Sequence, residues 1–578
     1  MMPKNSEIIQ PGGGPGPVSG FPHRWWVVPV VLVVLIGAIA ALRLRTFDEP
    51  LERDLITYML VGHAMNRGGQ AYVDAWEIKP PGIYGVYALA EWAVGFGERQ
   101  VYLLNVVAAA LTLVGVYAAG SARGRAAGLW AAAFWALLCG APGLQANQPN
   151  TEVFINAAVV GALALLLRAG DHAGAGVGRA LAVGALFAVG TTFKQIVIID
   201  ALLLSCAHLA FAAGLPGGRR RALRDVAIFG AVGAACWSTL IGYFAATGRQ
   251  EIFWVTNFSN ARAYAGNPLF NIFRYVREGK ILPDFLRFAA PVAGLVVLGL
   301  IRDRRSLKGR SWGLYLTALF AMQIKIPLNG MAFLPHYYQY WLPMLAVGAG
   351  WAAGARSAAP GRLASRVLPA AGAALVAFLL IHQGRYEILS ADEWSRLKYG
   401  GLVIGGRDLG RAIGDVLRPD ERLYQHGNKP ELYYYSGHLP PSLLLWTAHL
   451  DDTWPAAPLL LGLHLAALAK APPDLVVVEE PGPTGDLPAP ERGLAYRLLV
   501  RSPPAPNEGR IARSVLDALL PSYRAATIDG LNSPGLRYHV RRGSPLDRRL
   551  GGEGPTDREP EAGRGTTSDP RPSPVRSP

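Results

Sequence analysis

The chain has 578 residues, of which 51% are hydrophobic and only 17% charged, with a formal net charge of +15. That balance excludes an ordinary soluble globular protein, which is less apolar and carries more charge. Its three cysteines, Cys139, Cys206 and Cys236, lie in or beside apolar runs without disulfide or zinc-finger spacing, so a disulfide scaffold is excluded as well.

Residues 1–23 are rich in Gly and Pro and read as a disordered cytoplasmic N-terminus. The first apolar run follows His23 and Arg24 without a small-residue cleavage site, which predicts a retained span. Apolar runs then recur to residue 382, many approaching the ~20 residues a helix needs to cross the ~30 Å hydrocarbon core. Spans are predicted at 25–43, 101–120, 126–142, 153–168, 179–193, 195–213, 224–246, 286–301, 312–328, 338–355 and 364–382. The fold class is therefore a polytopic α-helical membrane protein of about eleven helices, occupying 24–382.

Position, more than total, gives the basic residues their meaning. Arg123 and Arg125, Arg168 and Arg179, Arg219 to Arg221 with Arg224, Arg302 to Arg310, and Arg356 to Arg366 fall in alternate connections. This is the positive-inside pattern, and it accounts for the excess charge without a nucleic-acid partner. Ile83 to Gly97 is too short for a span and carries Glu91; counting it would turn every arginine cluster outward. It is predicted to lie along the outer membrane surface, entered through Lys79 and the two prolines. The Thr192-Phe193-Lys194 segment is expected to break the helical run between the fifth and sixth spans.

Beyond Gln383, short β-rich runs alternate with helical ones, as in ERLYQHG, PELYYYSG, PDLVVVEE, YRAATID and LRYHVRR. Residues 383–542 are predicted to form a small extracytoplasmic α/β domain, and 543–578 a disordered tail. The unusual polar motifs then share one side of the membrane.

The densest chemistry is in the first outer loop. Asp54 begins a helical pattern with Tyr58 on its face, and its bland reading is an N-cap. Asp48, Glu49 and Glu52 are rival acids. After an Asn-Arg-Gly-Gly turn come Tyr72, Asp74, Trp76 and the rigid Lys79-Pro80-Pro81-Gly82. Lysine at a membrane ordinarily snorkels to headgroups, yet this one is placed to hold a lipid-borne phosphate. Neither a His/Cys cluster nor a paired-carboxylate spacing of metal-ligand type is present, so no metal site is predicted.

These motifs together resemble the GT-C-type membrane glycosyltransferases, the group that includes the protein O-mannosyltransferases and the lipid A aminoarabinose transferase. The resemblance rests on ERD at Glu52 to Asp54, YVDAWEIKPPGIY at Tyr72 to Tyr84, NTE at Asn150 to Glu152, TFKQ at Thr191 to Gln195 and HYYQYWLP at His336 to Pro343. It covers most of residues 24–540, and it departs from the family in offering ERD where an adjacent acid pair is usual.

The resemblance implies transfer of a hexosyl or pentosyl group from a polyprenyl-phosphate donor to an acceptor hydroxyl, with inversion, at the outer face of a bacterial inner (plasma) membrane. Such an activity would serve cell-envelope glycosylation. Asp54 would be the catalytic base; Lys79, with Lys194 or Arg274, would hold the phosphate. Asp74 and Glu152 would order the loop or touch sugar hydroxyls, Tyr58 would line the site, and His336 and Tyr337 would line a lipid groove. The plain alternatives are a snorkelling Lys194, a capping Glu152 and an interfacial aromatic belt. No cofactor is implied, although the architecture leaves room for a divalent cation at the acid loop.

Two other classes compete. A glycolipid transporter or flippase would use ionisable groups near the midplane, for which Asp200 and Lys325 are the nearest candidates. A non-catalytic glycolipid-binding membrane protein would tolerate loss of the acids. Sugar, acceptor, carrier length and oligomeric state are not encoded in any motif here.

Overall fold

The computed structural model describes residues 26–168, 176–212, 217–278, 283–330, 334–354, 366–450, 452–480, 509–531 and 533–551. The predicted N-terminal segment 1–23 lies outside them. The N-terminal part runs through α1 (Val27–Leu42), α2 (Arg53–Asn66), α3 (Gly82–Val94), α4 (Glu98–Gly120), α5 (Arg125–Leu138), α6 (Thr151–Leu167), α7 (Val177–Phe193), α8 (Ile198–Ala212) and α9 (Gly218–Ala246). It continues with α10 (Gln250–Trp254), a π-helical turn at Val255–Asn260, α11 (Ala261–Ala265), α12 (Pro268–Glu278), α13 (Pro283–Arg302), α14 (Arg310–Leu328), α15 (Trp341–Gly354) and α16 (Leu368–Glu387).

Each apolar run predicted as a span is helical. Among the described residues, five helical stretches are long and apolar enough to cross a membrane on length and composition alone: Val27–Phe47, Glu98–Arg123, Gln195–Ala212, Gly218–Ala246 and Leu368–Glu387. Their outward faces carry Val33, Val34, Leu111, Leu202 and Ile381, all exposed, as lipid-facing surfaces do. The chain is an integral membrane protein.

Because lipid is as apolar as leucine, helices in a bilayer gain most by approaching closely through small residues. Gly350 and Gly354 on α15 are spaced for this, and a Cβ at either would meet the backbone of Ala127 on α5 at 2.6 Å or less. The break after α7 occurs where predicted: Lys194 is extended, with φ −162° and ψ 127°, before a short 3-10 turn leads into α8.

Polar contacts sort the helix ends into two sets. At one end, Arg123 and Arg302 converge on Asp303, at 2.6 and 2.7 Å, and Arg310 reaches both the Leu166 carbonyl and His208 at 3.1 Å. At the other, Arg43 donates to the Cys139 carbonyl at 2.9 Å, Arg45 pairs with Glu387 at 3.1 Å, and Tyr434 donates to Glu98 at 2.8 Å. The arginine-rich connections and the acid loop thus occupy opposite ends of the bundle. The helix α3 lies beside α2 at the acid end and turns Trp92 outward, 84% exposed, together with Leu89.

The C-terminal domain contains α17 (Ala391–Tyr399), α18 (Leu402–Val416), β1 (Leu423–His426), α19 (Glu431–Ser436), α20 (Ala457–Lys470), β2 (Leu475–Glu479), α21 (Arg510–Leu519), β3 (Tyr523–Ala526), β4 (Leu536–Arg541) and α22 (Pro545–Arg549). The sheet order is β1-β2-β4-β3, with β1 and β2 parallel and the other pairs antiparallel. Continuous valines suit β2, which is buried along most of its length between its neighbours. One boundary is corrected. Residues 543–551, read from composition as the start of the tail, carry α22, which Ser544 caps and whose Leu546 is buried in the domain core. The remainder of the predicted tail lies outside the described residues.

This domain sits on the segments that flank α2. Trp76 bridges Leu444 in β fashion, its N–H donating to the Leu443 carbonyl at 2.8 Å, and Leu51 N–H donates to Tyr435 Oη at 2.7 Å. Lys398 pairs with Glu49 at the same junction.

Candidate active site

The helix α2 starts at Glu52, whose carboxylate accepts the Asp54 N–H at 2.8 Å. The cap is therefore Glu52, and the capping reading of Asp54 is corrected. Burial, reinforced by the negative charge of Asp54, pushes the Glu52 carboxyl up to about 8, so it carries its proton at neutral pH. Of the other rival acids, Glu49 is buried against Lys398 and accepts from Asn147 at 3.2 Å, while Asp48 is exposed. Asp54 is the half-buried acid that faces inward. Asn150 Nδ2 lies 3.4 Å from its Oδ2, and Asn150 Oδ1 accepts from Tyr58 at 3.1 Å while capping α6.

The loop before α3 is tied down from several sides. Lys79 Nζ pairs with Glu77 at 3.1 Å, Tyr84 donates to the same carboxylate at 2.6 Å, and Tyr72 donates to the Lys79 carbonyl at 2.8 Å. Tyr72 holds this position with φ +71°, a strained conformation for a non-glycine residue that its surroundings impose. Burial works against charge on both partners. At Glu77 the Lys79 ammonium, the Tyr84 hydroxyl and the Lys79 N–H together outweigh it and hold the carboxyl below the usual carboxylate range, and Glu77 and Asp54 together hold Lys79 above the ordinary lysine range. Lys79 Nζ is 6.0 Å from the Tyr58 ring, one turn beyond Asp54. Asp54 and Lys79 therefore belong to one centre.

Lys194 enters from the helix break. Its Nζ lies 3.2 Å from Glu152 and 4.3 Å from the Tyr337 ring centroid. This buried ion pair replaces both bland readings: Lys194 does not snorkel, and Asn150, not Glu152, caps α6. Tyr337 shares a 2.8 Å hydrogen bond with Tyr264, and His336 Nδ1 meets Gln145 Oε1 at 3.1 Å. What brings the lysine segments together is Gly82, which packs directly on Thr192; a Cβ there would fall 2.3 Å from Thr192 Oγ1.

Two further predicted residues have contacts on their own elements. Asp74 is exposed and accepts the Gln70 N–H at 2.6 Å, so it orders the loop's own turn. Arg274 belongs to α12, with its guanidinium 6.0 Å from the Phe270 ring. The transporter candidates Asp200 and Lys325 pair with each other at 2.7 Å, both fully buried. Among the described residues no group of three or more His, Cys, Asp or Glu side chains converges to hold a metal ion.

Sequence reasoning passed over Glu77, Tyr84, Tyr264 and His449. Glu77 and Tyr84 flank the Lys-Pro-Pro turn in the sequence and were accessible as a lysine's nearest acid and phenol. Tyr264 and His449 come from segments that carry no motif.

No protein-family model matches the chain, and no curated protein sequence does. Solved structures do. ArnT from Cupriavidus metallidurans in the apo state aligns with a TM-score of 0.58 at 16% identity, over 89% of this chain and 98% of that one. The same protein bound to undecaprenyl phosphate gives 0.54 at 17% identity, over 90% and 98%. The chain has the GT-C fold. The apo oligosaccharyltransferase of Archaeoglobus fulgidus is a more distant likeness, with a TM-score of 0.50 at 14% identity over 79% of this chain and 70% of that one. Within this GT-C fold, Asp54, Lys79, Glu152 and Lys194 meet where the helical bundle joins the C-terminal domain.

Proposed function

We propose that the protein is an inverting glycosyltransferase that moves a sugar from a polyprenyl-phosphate donor to an acceptor hydroxyl at the outer face of a bacterial inner membrane. The observation that carries this reading is the convergence of one inward-facing carboxylate, Asp54, with two lysines, Lys79 and Lys194, delivered by three separate elements. The opposite placement of the arginine-rich connections supports an extracytoplasmic site, with all eleven apolar helices as spans. The resident ligand of one ArnT structure, undecaprenyl phosphate, is the donor chemistry that the two ammonium groups suit.

In this mechanism the acceptor oxygen attacks the anomeric carbon from the face opposite the phosphate. Asp54 takes the acceptor proton as the new C–O bond forms. The bond between the anomeric carbon and the phosphate oxygen breaks, its electron pair stays on the phosphate, and Lys79 and Lys194 stabilise the growing charge. Glu77 and Glu152 fix the two lysines, and the protonated Glu52 leaves Asp54 as the local base. The single displacement inverts the anomeric centre.

The test is sugar transfer from a polyprenyl-phosphate donor by purified protein. Asp54→Asn removes the base and is expected to lower turnover by about 10²–10⁴-fold. Lys79→Ala is expected to lower it by about 10²–10³-fold, with weaker binding of undecaprenyl phosphate. Wild-type turnover in both variants would overturn the proposal.

A further inference from the structure

Where the C-terminal domain covers the loop ahead of α3, His449 sits among three indole rings. Its ring centroid is 4.8 Å from Trp76, 5.7 Å from Trp446 and 5.2 Å from Trp454, each met edge to face. His449 is 8% exposed, yet neither ring nitrogen has a hydrogen-bond partner among the described residues, and the same is true of the buried Trp446 Nε1. Three unpartnered polar atoms in one aromatic cluster are expensive unless a ligand completes them. The cluster also adjoins the reacting centre. Trp454 lies 6.3 Å from Tyr264, which is bonded to Tyr337, and the charges of Glu77, Lys79 and Asp54 all act on His449.

We propose that Trp446, Trp454 and His449, backed by the fully buried Trp76, form a sugar-ring subsite, in which the two half-buried indoles pack on the ring's C–H surface and His449 hydrogen-bonds a ring hydroxyl. A sugar ring is an apolar disc rimmed by hydroxyls, and this cluster offers the complementary pattern: flat apolar walls with isolated donors and acceptors. Burial lowers the imidazole to about 4, so at neutral pH it is uncharged and can accept at one nitrogen while donating at the other. The Arg53 guanidinium lies over the Trp446 ring, 5.6 Å from its centroid, but the aromatic and imidazole groups of the cluster are themselves uncharged, unlike the lysine pair. The proposal rests on the glycosyltransferase reading in assigning the sugar to donor or acceptor; the binding itself does not require turnover.

Saturation-transfer NMR on the full-length protein in nanodiscs, with free glucose, galactose, mannose, arabinose and ribose as probes, tests it. At least one sugar is expected to receive saturation at its ring C–H protons, and His449→Ala is expected to weaken that binding by about threefold to tenfold. His449→Asn, which keeps a donor and an acceptor, should restore most of it. Undecaprenyl phosphate binding should be normal in His449→Ala and weak in Lys79→Ala, whereas free-sugar binding should survive in Lys79→Ala; a failure of the phosphate site is thereby distinguished from a failure of this one. Displacement of the free sugar by the same sugar linked to undecaprenyl phosphate assigns the subsite to the donor, and persistence assigns it to the acceptor. No saturation of any sugar by wild type, or equal saturation by His449→Ala, would overturn the proposal. A lowered melting temperature for His449→Ala without change in sugar binding would do so too, since it would make the histidine structural.

Discussion

Replacing Gly82 with alanine tests how closely the start of α3 must approach the break after α7. The added Cβ would meet Thr192 Oγ1 at 2.3 Å, its carbonyl oxygen at 2.7 Å and its carbonyl carbon at 2.9 Å. The hydroxyl can turn aside, but the carbonyl oxygen, at 2.7 Å where ordinary contact starts near 3.4 Å, must yield by about 0.7 Å through backbone movement. That movement separates the elements carrying Lys79 and Lys194. Overpacking of this size costs about 1–3 kcal/mol, and a ~1 Å misplacement of a reacting group lowers rate by on the order of 10²-fold. Turnover of a polyprenyl-phosphate sugar is therefore expected to fall about 10–100-fold, with a smaller loss of thermal stability. Gly85→Ala is the control, because a Cβ there has nothing within 4 Å. If Gly82→Ala turned over sugar as fast as Gly85→Ala, close approach of the two lysine segments would not matter to the chemistry.

Glu52 gives a stability prediction with a definite sign. Its carboxyl rises from an ordinary 4.5 to about 8 on folding, so the folded chain holds a proton the unfolded chain gives up in that window. The contribution is fully present below about 4.5 and is lost as pH rises through about 8; at ~1.4 kcal/mol per pH unit it is at most about 5 kcal/mol, and less with water access. Glu52→Gln removes this dependence, so thermal melting should favour the variant increasingly from pH 5 to pH 9; parallel wild-type and variant curves would contradict the assignment. In Glu77→Gln the hydrogen bonds to the loop can persist while the carboxylate that competes for Lys79 is gone. Undecaprenyl phosphate, followed by the thermal shift it induces, should bind a few-fold more tightly although the apo protein melts lower, as expected when one partner of a buried pair is lost. Weaker binding would mean that fixing Lys79 in place matters more to the phosphate than freeing its charge from Glu77.

Much of the architecture was legible because each relevant signal is local. Apolar run length located the helices, arginine clusters located one end of the bundle, and the Thr192-Phe193-Lys194 break stood out as polarity inside an apolar stretch. The α/β domain was readable from alternating short runs, down to the valines of β2. The tail boundary was missed because composition cannot register a five-residue helix held by a single buried leucine, Leu546. At the candidate site, the motifs pointed to Asp54, Lys79, Glu152 and Lys194, but they could not say which acid caps and which faces inward. That choice depends on Asn150, Lys398 and a proton on Glu52, contributions from distant parts of the chain. His449 was invisible for the same reason: its neighbour Trp76 lies hundreds of residues upstream.

The β bridge between Trp76 and Leu444 has a bearing on biosynthesis. A β bridge that joins the loop ahead of α3 to a segment of the C-terminal domain cannot close until all the helices between them, α3 to α19, have been made. The nascent protein would thus insert its helices while the loop that carries Glu77 and Lys79 still lacks its backbone partner at Leu444. Truncation between Glu387 and Leu443 should leave a bundle that inserts normally but remains silent, so the loop that carries the site is finished only by a domain made after the whole bundle.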